Sequence, residues 1–337
     1  MRWSRCWVGC NRTMTRRLLG LAVAAALALG LPACGNFKHL TEASPEGFSH
    51  ASTCGDCHVA IYREWSESAH ARAFVSAAYR EETDDYRVQR CLGCHAPAAQ
   101  AGVAKPEARA ADRSEGITCV SCHLDAGKLS GPLDPTGMIA PHPVGVIPDR
   151  YRSSRMCGRC HEGTFGEWDA AAPPAPSAKP ACQQCHMPAT VRKVTQPTGG
   201  LSGLIVALER PVEQRQHRFA VIADPAKSPP VAFSVSRAAG VVRLTMTNRL
   251  PHRLPTGDYG VCVLTLQIDA VAAGGATSPL PRIELAREQD STLAAGGSRT
   301  FDLAGPQGTT ALHVRLVRPP RGNAREEVLA DEELPLP

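Results

Sequence analysis

The sequence predicts two unlike parts, a mostly irregular region of short helices followed by an all-β, sandwich-like C-terminal domain. Three observations predict this. Two cysteines separated by two residues and followed directly by histidine recur five times between residues 54 and 186. The same stretch is rich in Gly and Pro and modest in apolar residues, so its side chains alone make a poor core. Beyond about residue 218 the pattern changes to short runs of period-two alternation between turns.

The chain of 337 residues is long enough for two domains. Residues 1–33 read as a processing signal rather than structure. Met14-Thr15-Arg16-Arg17 supplies a positive start, and Leu18 to Leu31 is an apolar run too short to span a membrane as a helix. Met14 makes a better start than Met1, which would leave Cys6 and Cys10 outside the protein. Leu31-Pro32-Ala33-Cys34 reads as the lipobox of a bacterial lipoprotein, with Cys34 as the lipidated residue; the alternative is a plain secretory signal ending near Ala33. Removing residues 1–33 takes five arginines and no acids, so 37 basic residues fall to 32, equal to the 32 acids. The apparent basicity therefore gives no warrant for nucleic-acid binding. The expected location is the periplasmic side or outer membrane of a Gram-negative bacterium, held by a lipid anchor, with the cell surface as a further option.

Residues 34–53 form a polar linker carrying His39 and His50. The repeated pattern then begins at Cys54-Gly55-Asp56-Cys57-His58. It returns at Cys91-Leu92-Gly93-Cys94-His95, Cys119-Val120-Ser121-Cys122-His123, Cys157-Gly158-Arg159-Cys160-His161 and Cys182-Gln183-Gln184-Cys185-His186. C-x-x-C-H is the attachment signature of c-type haem: the thiols add to the porphyrin vinyl groups, and the adjoining His becomes the proximal iron ligand. Zinc ribbons also use C-x-x-C pairs, but five copies with the same trailing His argue for five covalent haem c groups. Ten of the 14 cysteines lie in these motifs, which leaves no framework for disulfides. The expected haem domain spans 54–195, with the macrocycles supplying its core and the fold depending on them.

An internal repeat runs through this region. Residues 54–65 align without gaps on residues 157–168, sharing Cys-Gly-x-Cys-His at one end and Glu-Trp at the other, as Glu64-Trp65 and Glu167-Trp168. The next motif of each copy ends alike, with Pro97 and Pro188 two residues after the His. This suggests two haem-pair units with the Cys119 motif inserted between them, and Trp65 and Trp168 packed on porphyrin faces or edges.

After Trp65 comes Ser66-Glu67-Ser68-Ala69-His70-Ala71, on a helix predicted from about Ala60 to Tyr79. Here the chain resembles the multihaem cytochromes of the cytochrome c-554 type, which carry a Trp-x-x-Ser-x-His-Ala element after their first haem motif. The resemblance implies that His70 is a distal iron ligand. Trp168 has no such His after it, so the haem of the second repeat needs a sixth ligand from elsewhere. Ala140-Pro141-His142-Pro143 holds an imidazole between two prolines on a stiff loop, which suits a distal ligand; a surface loop histidine is the plainer alternative.

Residues 170–181 and 195–203 read as linkers. The β-domain is expected over 218–337, with strands at Val231–Arg237, Val241–Thr247, Val261–Val271, Arg282–Arg287, Arg299–Leu303 and Ala311–Arg318. Cys262 is expected on the core face of its strand with Leu264, Leu266 and Ile268. Leu312, Val314 and Leu316 are expected to face inward, which turns His313 to solvent. Asn248-Arg249-Leu250-Pro251-His252-Arg253-Leu254-Pro255-Thr256-Gly257 breaks the alternation. It resembles an Asn…His-x-x-Pro-Thr-Gly loop of β-domains appended to multihaem cytochromes, so His252 is a candidate to cap a haem of the neighbouring domain. His217, at the junction, is a similar candidate.

The expected distal set is thus His50, His70, His142, His217 and His252, with Met187 poorly placed beside a proximal His. Five closed irons would make the protein an electron carrier between redox partner proteins. One open iron would instead allow an oxidoreductase acting on a small nitrogen or sulfur compound.

Overall fold

The computed structural model describes residues 50–99, 102–125, 128–136, 142, 144–172, 179–196, 206, 208–219, 229–238, 240–257, 262–320 and 325–337. The signal segment, Cys34 and His39 lie outside them. Among the described residues no helix is long and apolar enough to cross a membrane.

Among the described residues the N-terminal part has eight short α-helices with both ends defined: α1 (Ala51–Gly55), α2 (Val59–Ser66), α3 (Ala77–Glu82), α4 (Leu92–His95), α5 (Cys119–His123), α6 (Pro148–Arg152), α7 (Glu162–Ala170) and α8 (Cys182–His186). The continuous helix expected from Ala60 to Tyr79 is instead broken after Ser66. Serines account for the break. The Ser68 hydroxyl accepts the Ala71 N–H at 3.3 Å, and Ser76 caps α3 by accepting the Tyr79 N–H at 3.3 Å. His70 therefore sits on a turn, which frees it from the helix face.

The repeat is a structural one. α2 and α7 both start directly after a motif histidine, His58 and His161, which stand at the N-caps with similar torsions. Gly55 and Gly158 are required at equivalent places: a Cβ would lie 2.6 Å from the Tyr62 ring in the first copy and 2.5 Å from the Phe165 ring in the second.

Small sheets tie the loops. β1 (Leu124–Asp125), β2 (Lys128–Gly131) and β3 (Gly145–Val146) follow α5, while β4 (Ala189–Arg192) pairs antiparallel with β5 (Val212–Arg215). The C-terminal part is a sandwich of two antiparallel sheets. One has the order β11-β7-β6, from β6 (Val231–Ala238), β7 (Val241–Asn248) and β11 (Ser298–Leu303). The other has the order β10-β8-β12-β13, from β8 (Val263–Ala272), β10 (Ile283–Ala286), β12 (Thr309–Arg318) and β13 (Glu327–Pro335), with β9 (Thr277–Pro279) also on β8. All six expected strands are present, and β9 and β13 are additional.

The apolar core belongs to the sandwich. Leu244 and Met246 of β7 face Leu266, Ile268, Val314 and Leu316 of the opposite sheet. His313 points away, bonded to Asp331 at 2.7 Å. Cys262 lies just before β8 and is only half-buried, because the strand begins at Val263, two residues later than expected. It lines the large cavity of the N-terminal part rather than the sandwich core. Among the described residues only seven of the 26 buried apolar ones belong to the motif-bearing part, so the described portion of that part has little core of its own.

Candidate metal centres

In place of a core, the N-terminal part borders a cavity of about 2930 Å³ lined by the motifs, by Trp65 and Trp168 and, on the sandwich side, by residues 250–252, 254–257 and Cys262. Ordinary small-molecule sites run to about 1,000 Å³, and packed interiors leave almost no voids larger than a water molecule. A space this large inside a chain this poor in buried apolar residues fits several bulky groups that complete the core.

Four pairs of imidazoles face each other across it. Ring centres stand 6.2 Å apart for His58 and His142, 6.3 Å for His70 and His161, 6.3 Å for His123 and His217, and 6.4 Å for His186 and His252. Half of each separation would accommodate a metal–nitrogen bond of about 2 Å plus roughly 1 Å from that nitrogen to the ring centre. Each pair joins one motif histidine to one histidine outside the motifs. Among the described residues there is no cluster of three or more His, Cys, Asp or Glu able to hold a metal ion. A metal between two imidazoles must therefore bring its equatorial ligands with it, which is what an iron porphyrin does.

Backbone carbonyls orient several of these rings. The Nδ1 atoms of His58, His95 and His123 lie 3.0, 2.7 and 2.8 Å from the carbonyls of Val194, Ala73 and Ser130. Those of His217 and His252 lie 3.0 Å from the carbonyls of Arg215 and Arg253. Donation from Nδ1 leaves Nε2 with its lone pair toward the cavity. Burial, reinforced by His161 and His217, pushes His70 down to about 3; burial beside His123 pushes His217 down to about 4. Both are thus neutral near pH 7, the form that binds a metal.

The backbone around His70 is fixed tightly. Its carbonyl accepts the Ile117 N–H at 3.0 Å, and Trp65 donates its indole N–H to the Ile117 carbonyl at 2.7 Å. Gly116 (φ +59°) approaches so closely that a Cβ there would lie 2.5 Å from the His70 carbonyl oxygen. His252 is set by Asn248, which is fully buried and whose Nδ2 lies 2.8 Å from the His252 carbonyl while its Oδ1 accepts the Leu250 N–H at 2.9 Å. His217 follows β5 and is carried by the β4–β5 pair, with the Gln216 N–H on the Pro188 carbonyl at 3.0 Å.

The arrangement corrects one expected position and sharpens another. His50 does not face a motif histidine: its ring is 3.0 Å from Glu115 at the surface, held there because Glu115 also accepts the Ala51 N–H at the start of α1. His70, although it follows the first motif, faces His161 of the second repeat, which is the site whose own repeat supplies no histidine. His95 is stacked on Tyr79 at 4.1 Å, and among the described residues no histidine ring faces it. The Tyr79 hydroxyl is buried in the same place without a hydrogen-bond partner.

Cysteines of different motifs also lie side by side: Cys54 beside Cys119, Cys94 beside Cys160, and Cys182 beside Cys157, while Cys122 lies near both Cys157 and Cys160. The first motif is therefore beside the third rather than the second, which differs from the pairing suggested by the sequence repeat. The carbonyls behind the histidines, and Tyr79, left no trace in the sequence, since backbone acceptors have no residue signature.

Comparison with known proteins agrees with this picture. Residues 53–124 match the family described as cytochrome c554 and c-prime. A penta-haem cytochrome c552 from Thermochromatium tepidum, known from a crystal structure, has a similar fold at a TM-score of 0.55 and 17% identity, covering 85% of this chain and 98% of that one. No curated protein matches the chain.

Proposed function

We propose that this multihaem c-type cytochrome is an exported electron carrier with five haem c groups, one on each C-x-x-C-H motif, passing single electrons between redox partner proteins in a respiratory or extracellular pathway. Haem c supplies the one-electron iron couple. The observation that carries the reading is the set of four facing imidazole pairs at 6.2–6.4 Å. In this reading His58, His95, His123, His161 and His186 are proximal ligands, and His142, His217, His70 and His252 are distal to His58, His123, His161 and His186 respectively. Two imidazoles per iron keep potentials lower than a His/Met pair and close the metal to substrate. The neighbouring cysteines support a chain of adjacent haems in which the first motif lies beside the third, the third beside the fourth, and the fourth beside both the second and the fifth. The chain's own work is to hold the rings in place and to exclude water around them. The lipid anchor at Cys34 would hold the protein at the outer face of a membrane.

His95 favours a second reading for one site. With no facing imidazole among the described residues, that iron would take a small exogenous ligand, and the protein would then act as an oxidoreductase on a small nitrogen or sulfur compound. Mass spectrometry of the mature protein tests the count of five, and low-temperature EPR of the ferric form tests the ligands. Five low-spin signals support the carrier alone. Four low-spin signals and one high-spin signal support an open site at His95. Two or more high-spin haems would overturn the assigned pairs.

A further inference from the structure

In each repeat's Glu-Trp pair the tryptophan donates its indole N–H to a backbone carbonyl, Trp65 to Ile117 at 2.7 Å and Trp168 to Pro180 at 2.9 Å, while the glutamate makes contacts of another kind. We infer that Glu64 and Glu167 are positioning residues, each clamping the chain segment that presents a distal histidine to a neighbouring haem. This rests on the ligand assignment proposed above for His217 and His252.

Glu64 is almost fully buried on α2. Its Oε2 accepts the backbone N–H of His217 at 2.9 Å, and its two oxygens are gripped by Arg192 at 2.6 and 2.8 Å. Arg192 lies on β4, the strand paired with the one that leads to His217. Glu167, at the matching place on α7, does the same for a different segment. Its Oε2 accepts the backbone N–H of Arg253, next to His252, at 3.1 Å and the Thr256 hydroxyl at 2.6 Å. The two clamped segments share neither sequence nor secondary structure: one ends a β-hairpin, the other is a loop of the sandwich. What they share is a histidine facing a motif histidine. The same carboxylate, used twice on such different backbones, is explained by that common task.

The geometry also links sites to one another. α2 starts after His58, yet its carboxylate holds the histidine opposite His123. α7 starts after His161, yet its carboxylate holds the histidine opposite His186. Each helix thus couples the placement of one proximal ligand to the distal ligand of the next site. A carboxylate suits this because it accepts a backbone N–H while remaining paired with a guanidinium or hydroxyl.

The test uses the haem-loaded protein, its haem content checked by mass. It compares carbon monoxide binding to the reduced form and high-spin EPR of the ferric form across variants. His217→Ala and His252→Ala are each expected to add one carbon monoxide-binding haem. Glu64→Ala and Glu167→Ala are expected to raise the open fraction of the same haems by about tenfold, as loss of one charge-assisted hydrogen bond implies. Glu167→Gln keeps an acceptor for the Arg253 N–H and is expected to restore closure. Where truncation prevents accumulation, Glu167→Asp serves instead: it retains the charge but falls one methylene short, and is expected to open the haem. If the histidine variants open a haem and the glutamate variants, fully loaded, stay closed, the clamp is overturned while the ligands stand. If the histidine variants open nothing, the ligand assignment itself fails.

Discussion

Replacing Leu266 by Ala should separate the behaviour of the sandwich from that of the haem-bearing part. Leu266 is fully buried at the centre of its sheet, in register with Leu316 on one side and Ile283 on the other. Losing three carbons costs about 2.4 kcal/mol at roughly 0.8 kcal/mol per buried methylene. Stiff neighbouring strands cannot close over the hole, so the total should reach about 3–4 kcal/mol, within the range found for Leu→Ala in packed cores. For a sandwich of about 110 residues that lowers its melting point by roughly 13–17 °C. The Asn248–Gly257 loop belongs to this sandwich and carries His252, so melting should release one distal imidazole while the others stay bound. Circular dichroism should therefore show an early β-transition in Leu266→Ala, and Soret absorption should show one haem turning high-spin at the same temperature. An early β-transition with no change in the haem spectrum would refute the idea that the sandwich caps a haem. A single shifted transition for the whole chain would refute the independence of the two cores.

Other outcomes follow from local geometry. Gly158→Ala places a Cβ 2.5 Å from the Phe165 ring, which is fixed on α7, and should cost about 1–3 kcal/mol. Gly55→Ala should do likewise against Tyr62, and thermal unfolding of the loaded protein would reveal both; unchanged melting would show that the rings move freely. Glu209 is buried and accepts hydrogen bonds from Thr136 at 2.6 Å, the Val194 N–H at 3.0 Å and Thr195. Burial raises its pKa, but these donors outweigh burial and hold it below the free value of 4.5. A carboxylate lowered in the folded state stabilises above its unfolded pKa and loses that contribution as pH falls through the folded one. The melting points of wild type and Glu209→Gln should therefore differ at neutral pH and converge as pH falls below 4.5 and through the lowered folded-state pKa. A gap that is constant with pH would contradict this.

Much of the molecule could be read in advance because its chemistry is local. The thioether motifs need fixed residues at fixed spacing, and the strands at Val231, Val241 and Thr309 alternate in ways that survive tertiary packing. What could not be read depends on contacts made at a distance. The break after Ser66 comes from serine hydroxyls competing with the helix, and a helix-like spacing hid it. His70 lies 91 residues from the histidine that it faces, and no periodicity links them. His50 offers the same imidazole as His142, and only the contact with Glu115, 65 residues away, holds it outside. The strand at Glu327–Pro335 carries acids on its exposed face and lacks the apolar alternation that marks the others, yet it completes a sheet edge.

The meeting of thiols from separate motifs bears on how the protein is made. A chain that collapsed first, in an oxidising compartment, would bring Cys54 to Cys119 and Cys157 to Cys182 as bare sulfhydryls, and cross-links between the wrong partners would seal the interior against its prosthetic groups. On the five-haem reading, attaching the porphyrins before collapse would protect the chain, since a sulfur already alkylated can no longer pair wrongly.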